Sequence, residues 1–158
     1  MKNLIVGQSG GPTAVINSSL YGVIREGFNR SEEIEHVYGM INGIQGFLDG
    51  RFMDMKELDN DTLEALRTTP GAYLGSCRFK LPEIHEDKAI YEKIFEILNR
   101  LDIDAFIYIG GNDSMDTIKK LSDYAILTGQ TQKFLGVPKT IDNDLALTDH
   151  TPGFGSAA

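Results

Sequence analysis

Apolar residues in this chain form short continuous runs that stop at glycine-rich or polar stretches, and between these runs they recur at helical spacing. Leu4-Ile5-Val6 stops at Gly7-Gln8-Ser9-Gly10-Gly11-Pro12, after which Val15, Ile16, Leu20, Val23 and Ile24 keep a helical interval. This predicts strand, glycine turn, helix. A second strand is predicted from Glu35 to Ile41, where β-branched and aromatic residues dominate, and Gly39, Gly43, Gly46 and Gly50 predict a loop after it.

Asp61 to Thr68 predicts a short helix, with Asn60 or Asp59 as N-cap and Pro70-Gly71 as its stop, and Ala72 to Pro82 reads as a loop. Ala89, Ile90, Ile94, Ile97, Leu98 and Leu101 fall on one face of an amphipathic helix over His85 to Leu101. Ala105-Phe106-Ile107-Tyr108-Ile109 is the continuous run of a strand buried on both faces, and it leads through Gly110-Gly111-Asn112-Asp113-Ser114 into a helix ending near Leu127. Lys133 to Val137 repeats the theme and runs into the polar stretch Pro138 to Asp144. Strand and helix alternate, so the expected class is α/β, a doubly wound, mainly parallel sheet with helices on both faces. No repeat, low-complexity stretch or linker divides the 158 residues, enough for one domain with its own core.

Composition narrows the function classes. With 41% hydrophobic and 24% charged residues and no apolar run near the ~20 residues of a membrane helix, the chain reads as soluble, without a membrane partner. A net charge of −8 repels polyanions and argues against nucleic acid as a partner, so an anionic small molecule needs a dedicated site. Cys77 is the single cysteine, which excludes an internal disulfide, and it reads as a packed loop thiol. His36, His85 and His150 lack ligand spacing for zinc, and Met53 and Met55 read as core or interface filler. The start enters a strand without a basic leader, so a cytoplasmic location is expected. The end, Thr151 to Ala158, has small residues after a glycine-rich stretch, and the expectation is a piece of a longer polypeptide.

In a doubly wound sheet, ligands bind beyond the carboxyl ends of the strands, so three strand-ending loops should converge. Ser9-Gly10-Gly11 can bring backbone N–H groups and a following helix N-terminus to an anion, although an ordinary tight turn explains it equally well. In Gly110-Gly111-Asn112-Asp113-Ser114 the acid adds chemistry, the alternative being that Asp113 or Ser114 only caps the helix. Lys139-Thr140-Ile141-Asp142-Asn143-Asp144 puts a cation, a hydroxyl and two carboxylates within six residues; a solvated turn is the alternative. In an extended backbone Thr140, Asp142 and Asp144 point to one side, giving a proton acceptor, a carboxylate for Mg²⁺ and a donor for developing charge. Phosphoryl transfer requires such a set, since it is mostly positioning and charge neutralisation.

These segments resemble the phosphofructokinase family over essentially all 158 residues. Ser9-Gly10-Gly11 with Asn17, Leu74-Gly75-Ser76-Cys77-Arg78-Phe79, Gly110-Gly111, Thr140-Ile141-Asp142-Asn143-Asp144 and Thr148-Asp149-His150-Thr151-x-Gly153-Phe154 occur in the family's order. Thr-Ile-Asp-Asn-Asp after Val-Pro is the specific element among them. The resemblance implies phosphorylation of fructose 6-phosphate at its 1-position, with Asp142 as base, Thr140 holding sugar or transferring phosphoryl, and Asp144 serving substrate and Mg²⁺. Gly10, Gly11, Gly111, Ser114, Lys139 and Arg78 would bind the phosphate donor, a surface salt bridge being the alternative for Arg78.

The resemblance also bears on the donor. Asp113 stands where ATP-dependent members usually have glycine; its side chain fills and repels the α-phosphate space. Lys139 replaces a glycine common in bacterial ATP enzymes, so pyrophosphate is the expected donor and ATP the alternative. Asn112 departs from the usual metal-serving Asp; its amide oxygen can still coordinate Mg²⁺, and Asp113 would restore charge. A non-catalytic phosphoanion-binding module is the alternative of another class. The 158 residues would be the donor-binding domain alone. The family's sugar-phosphate-binding part, with its Met-Gly-Arg motif, is not among them, so the isolated chain is expected to turn over little, and the full-length parent to be a homo-dimer or homo-tetramer.

Overall fold

The continuous apolar runs become the centre of one sheet. In the computed structural model, which describes residues 2–139, 146, 147 and 149, five strands are present: β1 (Lys2–Gln8), β2 (Ile34–Met40), β3 (Phe52–Asp54), β4 (Ile103–Gly110) and β5 (Lys133–Pro138). Their order across the sheet is β3-β2-β1-β4-β5. β1, β2, β4 and β5 are parallel, and only the short edge strand β3 runs antiparallel, pairing Gly39 with Met53. The doubly wound, mainly parallel sheet is therefore as expected.

The helices are α1 (Ile16–Asn29), α2 (Gly43–Leu48), α3 (Asn60–Ala65), α4 (Lys88–Arg100) and α5 (Asn112–Thr128). Side chains alternate across a strand, and the two faces of β1 and β4 feed two cores. Ile5, Phe106 and Tyr108 join α2, α4 and α5 on one face, while Leu4, Val6 and Ile109 join α1 and α3 on the other. The first core is aromatic: Phe106 packs against Phe47 and Phe134, and Tyr124 against Tyr91 and Phe95. Each fully buried large side chain of this kind contributes about 1.5–3 kcal/mol.

Two elements differ from the expectation. Residues 43–48, expected as loop, form α2, and residues 52–54, for which no strand was expected, pair as β3; Met53 packs against the second core and Met55 is fully buried in it, as expected of core filler. The glycines conceal α2 for a steric reason: a Cβ on Gly46 would overlap the carbonyl oxygen of Ile41. Helix ends also shift with their caps. Asp59 accepts from the Thr62 amide, so α3 starts at Asn60 and closes at Ala65, short of Thr68. Asp87 accepts from the Ile90 amide and starts α4 at Lys88 rather than His85. Among the described residues, no helix is long and apolar enough to cross a membrane.

β1 has β2 on one side and β4 on the other, so the chain winds first one way from β1 and then the other. That reversal opens a crevice beyond the carboxyl ends of β1 and β4.

Candidate functional site

A cleft of about 810 Å³ lies at this crevice. Ser9, Gly10, Gly11 and Thr13 line it from the loop after β1, residues 77–80 from the segment between α3 and α4, residues 111–114 from the start of α5, and Lys139 from the end of β5. The loops after β1 and β4 thus converge with Lys139, the one residue after β5 among the described residues that lines the cleft, and a fourth segment carrying Arg78 joins them.

The first loop is held by backbone bonds on both sides. The Ser9 amide donates to the Ile109 carbonyl at 2.9 Å, the Gly10 amide to the Cys77 carbonyl at 3.3 Å, and the Ser76 hydroxyl to the Gly10 carbonyl at 2.7 Å. Gly10 has φ +75°, a conformation that favours glycine, and a Cβ there would sit 3.2 Å from Lys139 Nζ. A Cβ on Gly11 or Gly111 would meet nothing within 4 Å, so the backbone at both positions borders open space. The helix N-terminus at the cleft is that of α5. The first turn of α1, starting at Ile16, is not part of the lining, contrary to the expectation for the glycine turn.

At α5 the N-cap is Gly111, and no side chain caps the helix. Helix capping therefore does not account for Asp113 or Ser114. Ser114 is buried against Gly110, where a Cβ would overlap its side chain, while Asn112 and Asp113 are exposed at the mouth. Asp113 lies in the first turn, where the positive helix end favours a carboxylate.

Lys139 is the buried cation of the site. It is 8% exposed, its ammonium donates to the Gly11 carbonyl, and its amide donates to the Gly110 carbonyl at 3.1 Å. Burial pushes its pKa below the ordinary lysine value. Arg78 and Lys80 are exposed, and neither forms an ion pair among the described residues. Among the described residues no cluster of three His, Cys, Asp or Glu side chains offers a metal site. Thr140, Asp142 and Asp144 lie outside the described residues.

Sequence reasoning missed Thr13 and Lys80 in the cleft and, apart from naming Asn17, the polar network behind it. Gln8 is fully buried; its side chain donates to the Ile16 carbonyl at 3.1 Å and to Asn17 Oδ1 at 3.0 Å, and accepts from the Leu74 amide at 2.9 Å. Asn17 accepts from the Tyr73 amide at 2.8 Å and donates to the Thr69 carbonyl at 2.9 Å. This network fastens the Arg78-bearing segment to β1 and α1. Its only sequence signal is a pair of amides at a strand end and a helix start.

Comparison with known proteins bears on the whole chain. The family model described as phosphofructokinase matches residues 3–158. A pyrophosphate–fructose 6-phosphate 1-phosphotransferase of Xanthomonas campestris is 48% identical over 156 residues, spanning 99% of this chain and 37% of that protein. An ATP-dependent 6-phosphofructokinase of Vibrio vulnificus is 36% identical over 157 residues, spanning 99% of this chain and 44% of that protein. The crystal structure of a pyrophosphate-dependent phosphofructokinase from Nitrosospira multiformis superimposes with TM-score 0.89 at 42% identity, spanning 98% of this chain and 38% of that one. The chain therefore spans well under half the length of these relatives.

Proposed function

The chain belongs to the phosphofructokinase family, and on that premise we propose that it forms the donor-binding part of an enzyme that transfers a phosphoryl group from pyrophosphate to the 1-hydroxyl of fructose 6-phosphate. The sugar-phosphate-binding part then lies outside these 158 residues, in keeping with the 37% of the Xanthomonas relative that the chain spans. The parent enzyme is a homo-oligomer, a dimer or tetramer, of cytoplasmic location.

One observation carries the choice of donor. The cleft holds a buried ammonium, Lys139, at the glycine turn, and a carboxylate, Asp113, at its exposed helical wall. A compact diphosphate fits beside the cation, whereas a nucleotide would carry a further phosphate and nucleoside toward the carboxylate, at a cost in charge repulsion and space. The higher identity to the pyrophosphate-dependent relative, 48% against 36%, supports the same reading.

In this mechanism Asp142 accepts the proton of the sugar 1-hydroxyl as its oxygen attacks the near phosphorus. The bond from that phosphorus to the bridging oxygen breaks, and phosphate leaves. Thr140 orients the reacting groups, while Lys139 and Arg78 bear the charge that gathers on the leaving phosphate. The open backbone at Gly10, Gly11 and Gly111 and the start of α5 at Ser114 cradle the donor. Asn112, an oxygen donor at the cleft, would hold Mg²⁺ together with Asp144, leaving Asp113 as the carboxylate that faces a nucleotide. When bound, Mg²⁺ supplies neutralisation of the donor's negative charge.

The test is turnover of the full-length protein with each donor in turn. Fructose 1,6-bisphosphate formed from pyrophosphate and not from ATP, and lost in Asp142→Asn, is the expected result. Turnover with ATP alone would refute the donor assignment, and phosphate binding without turnover would leave the non-catalytic module.

A further inference from the structure

Residues 69–83 have no helix or strand of their own, yet the middle of this strap forms one wall of the cleft. Without a backbone ladder, it is held by isolated backbone bonds, from Gly71 to Thr13, Asn42 to Leu74 and Gly10 to Cys77, and at its two ends by side chains that reach it from neighbouring elements. At one end these are Gln8 and Asn17, described above. At the other end the main anchor is Lys120, on α5.

Lys120 Nζ donates to the Leu81 carbonyl at 3.0 Å and pairs with Glu83 and Asp116, each at 2.8 Å. Tyr91 adds a hydrogen bond of 2.6 Å from its hydroxyl to the Pro82 carbonyl. Lys120 is 9% exposed, and its hydrogen bonds to Asp116 and Glu83 hold its pKa above the ordinary lysine value, so it stays charged. The Asp116 contact lies within α5 and would satisfy a purely helical role. The Leu81 and Glu83 contacts cross to the strap.

The position of Lys120 along α5 gives these contacts a consequence. The same helix begins at the cleft with Asn112 and Asp113, so a rigid rod joins the Asp113 wall to the end of the strap that presents Arg78 and Lys80. We infer that Lys120 is a positioning residue for donor binding: it ties α5 to residues 81–83 and so sets where Arg78 and Lys80 stand opposite Asp113. The inference rests on the pyrophosphate reading for its ligand and on the strap geometry for its mechanism.

The experiment compares Lys120→Met and Lys120→Arg with the parent in the full-length protein. Two readouts are taken: steady-state kinetics with each substrate varied, and amide hydrogen exchange of residues 75–83. Lys120→Met is expected to raise KM for pyrophosphate about 10- to 100-fold, the range found when a remote change misplaces binding groups. KM for fructose 6-phosphate should stay within about twofold, whereas kcat at saturating pyrophosphate should fall as well, since Arg78 bears charge on the leaving phosphate. Exchange at 75–83 should quicken, and Lys120→Arg should recover most of these effects, since arginine keeps the charge and the donors. Unchanged KM for pyrophosphate with unchanged exchange overturns the inference. So does a loss of thermal stability with the KM values intact, the outcome of a merely structural lysine.

If Lys120→Met does not fold, Glu83→Gln weakens the tie to the strap while leaving the Leu81 bond. It should raise KM for pyrophosphate to a smaller extent in the same direction, and an unchanged value overturns the inference. If the full-length protein uses ATP instead, the pyrophosphate reading fails by itself. Exchange at 75–83 and KM for ATP then decide on Lys120.

Discussion

The ammonium of Lys139, just after β5, donates a hydrogen bond to the carbonyl oxygen of Gly11, just after β1, across the intervening strand β4. The amide of the same residue donates to Gly110 at the end of β4. One residue thus joins the loops that follow all three strands, and it leaves a largely desolvated positive charge at the glycine turn. The electrostatic character of the site follows from this in a chain of net charge −8.

A pH dependence follows from the burial of Lys139. Burial disfavours the ammonium, so the group loses its proton below the usual lysine value of about 10.4. Donor affinity that relies on this charge should decline along an alkaline limb lying below that value. For stability the sign is opposite: the penalty for burying the charge is full below the folded-state pKa and is relieved as pH rises through it toward the unfolded value. The profile of kcat/KM for pyrophosphate in the full-length protein should show the limb, and Lys139→Arg, which stays charged, should remove it. A limb that stays in place in that variant would assign the titration to another group.

The buried amide network predicts a cost in stability. Gln8→Leu keeps roughly the volume but leaves the Leu74 amide and the Ile16 carbonyl without their side-chain partner in a buried setting. The Ile16 carbonyl keeps its bond within α1, so the orphaned Leu74 amide sets the cost, and a loss of about 1–3 kcal/mol is expected in urea unfolding. Gln8→Glu retains the acceptor for Leu74 but buries a charge and loses the donor, and it should be no better. An effect below about 0.5 kcal/mol, the scale of an ordinary surface change, would show that water replaces the network.

How far the site was legible in the sequence depended on whether its determinants are local. β1 and β4 showed as continuous apolar runs because both faces of the sheet are covered there, the edge strand β5 showed as a shorter apolar run although it is largely exposed, and the apolar stripe of α4 showed in its period. The glycine turns at Gly10 and Gly111 were legible because chain reversals after strands have their own chemistry. α2 was hidden since Gly46 serves a contact with Ile41, which looks like loop composition when read along the chain. The strap was hidden for a different reason. Its order comes from the side chains of Gln8, Asn17 and Lys120 and from backbone bonds to Gly10, Thr13 and Asn42, all reaching it from positions far away in sequence, and Lys80 looks like any surface lysine until the fold turns it into the cleft.

Donor selectivity gives the prediction with the widest consequence. Asp113 is exposed in the first turn of α5, takes no part in capping, and faces the same cleft as Lys139. Replacing it with glycine removes a favourable carboxylate from a helix N-terminus, which costs only about 0.3–1 kcal/mol, so the fold should survive. The same change removes a negative charge and a side chain from the path a nucleotide would take. Lys139→Gly withdraws the cation that a compact diphosphate would use and opens space beside Gly10, whose missing Cβ already lies close to Nζ. The double variant in the full-length protein should therefore lose kcat/KM for pyrophosphate by at least about 10-fold and gain turnover with ATP, each single variant showing part of the shift. Because the two residues line one cleft, their effects should not be additive. If the double variant kept the parent's preference for pyrophosphate unaltered, selectivity would have to reside in residues other than this pair.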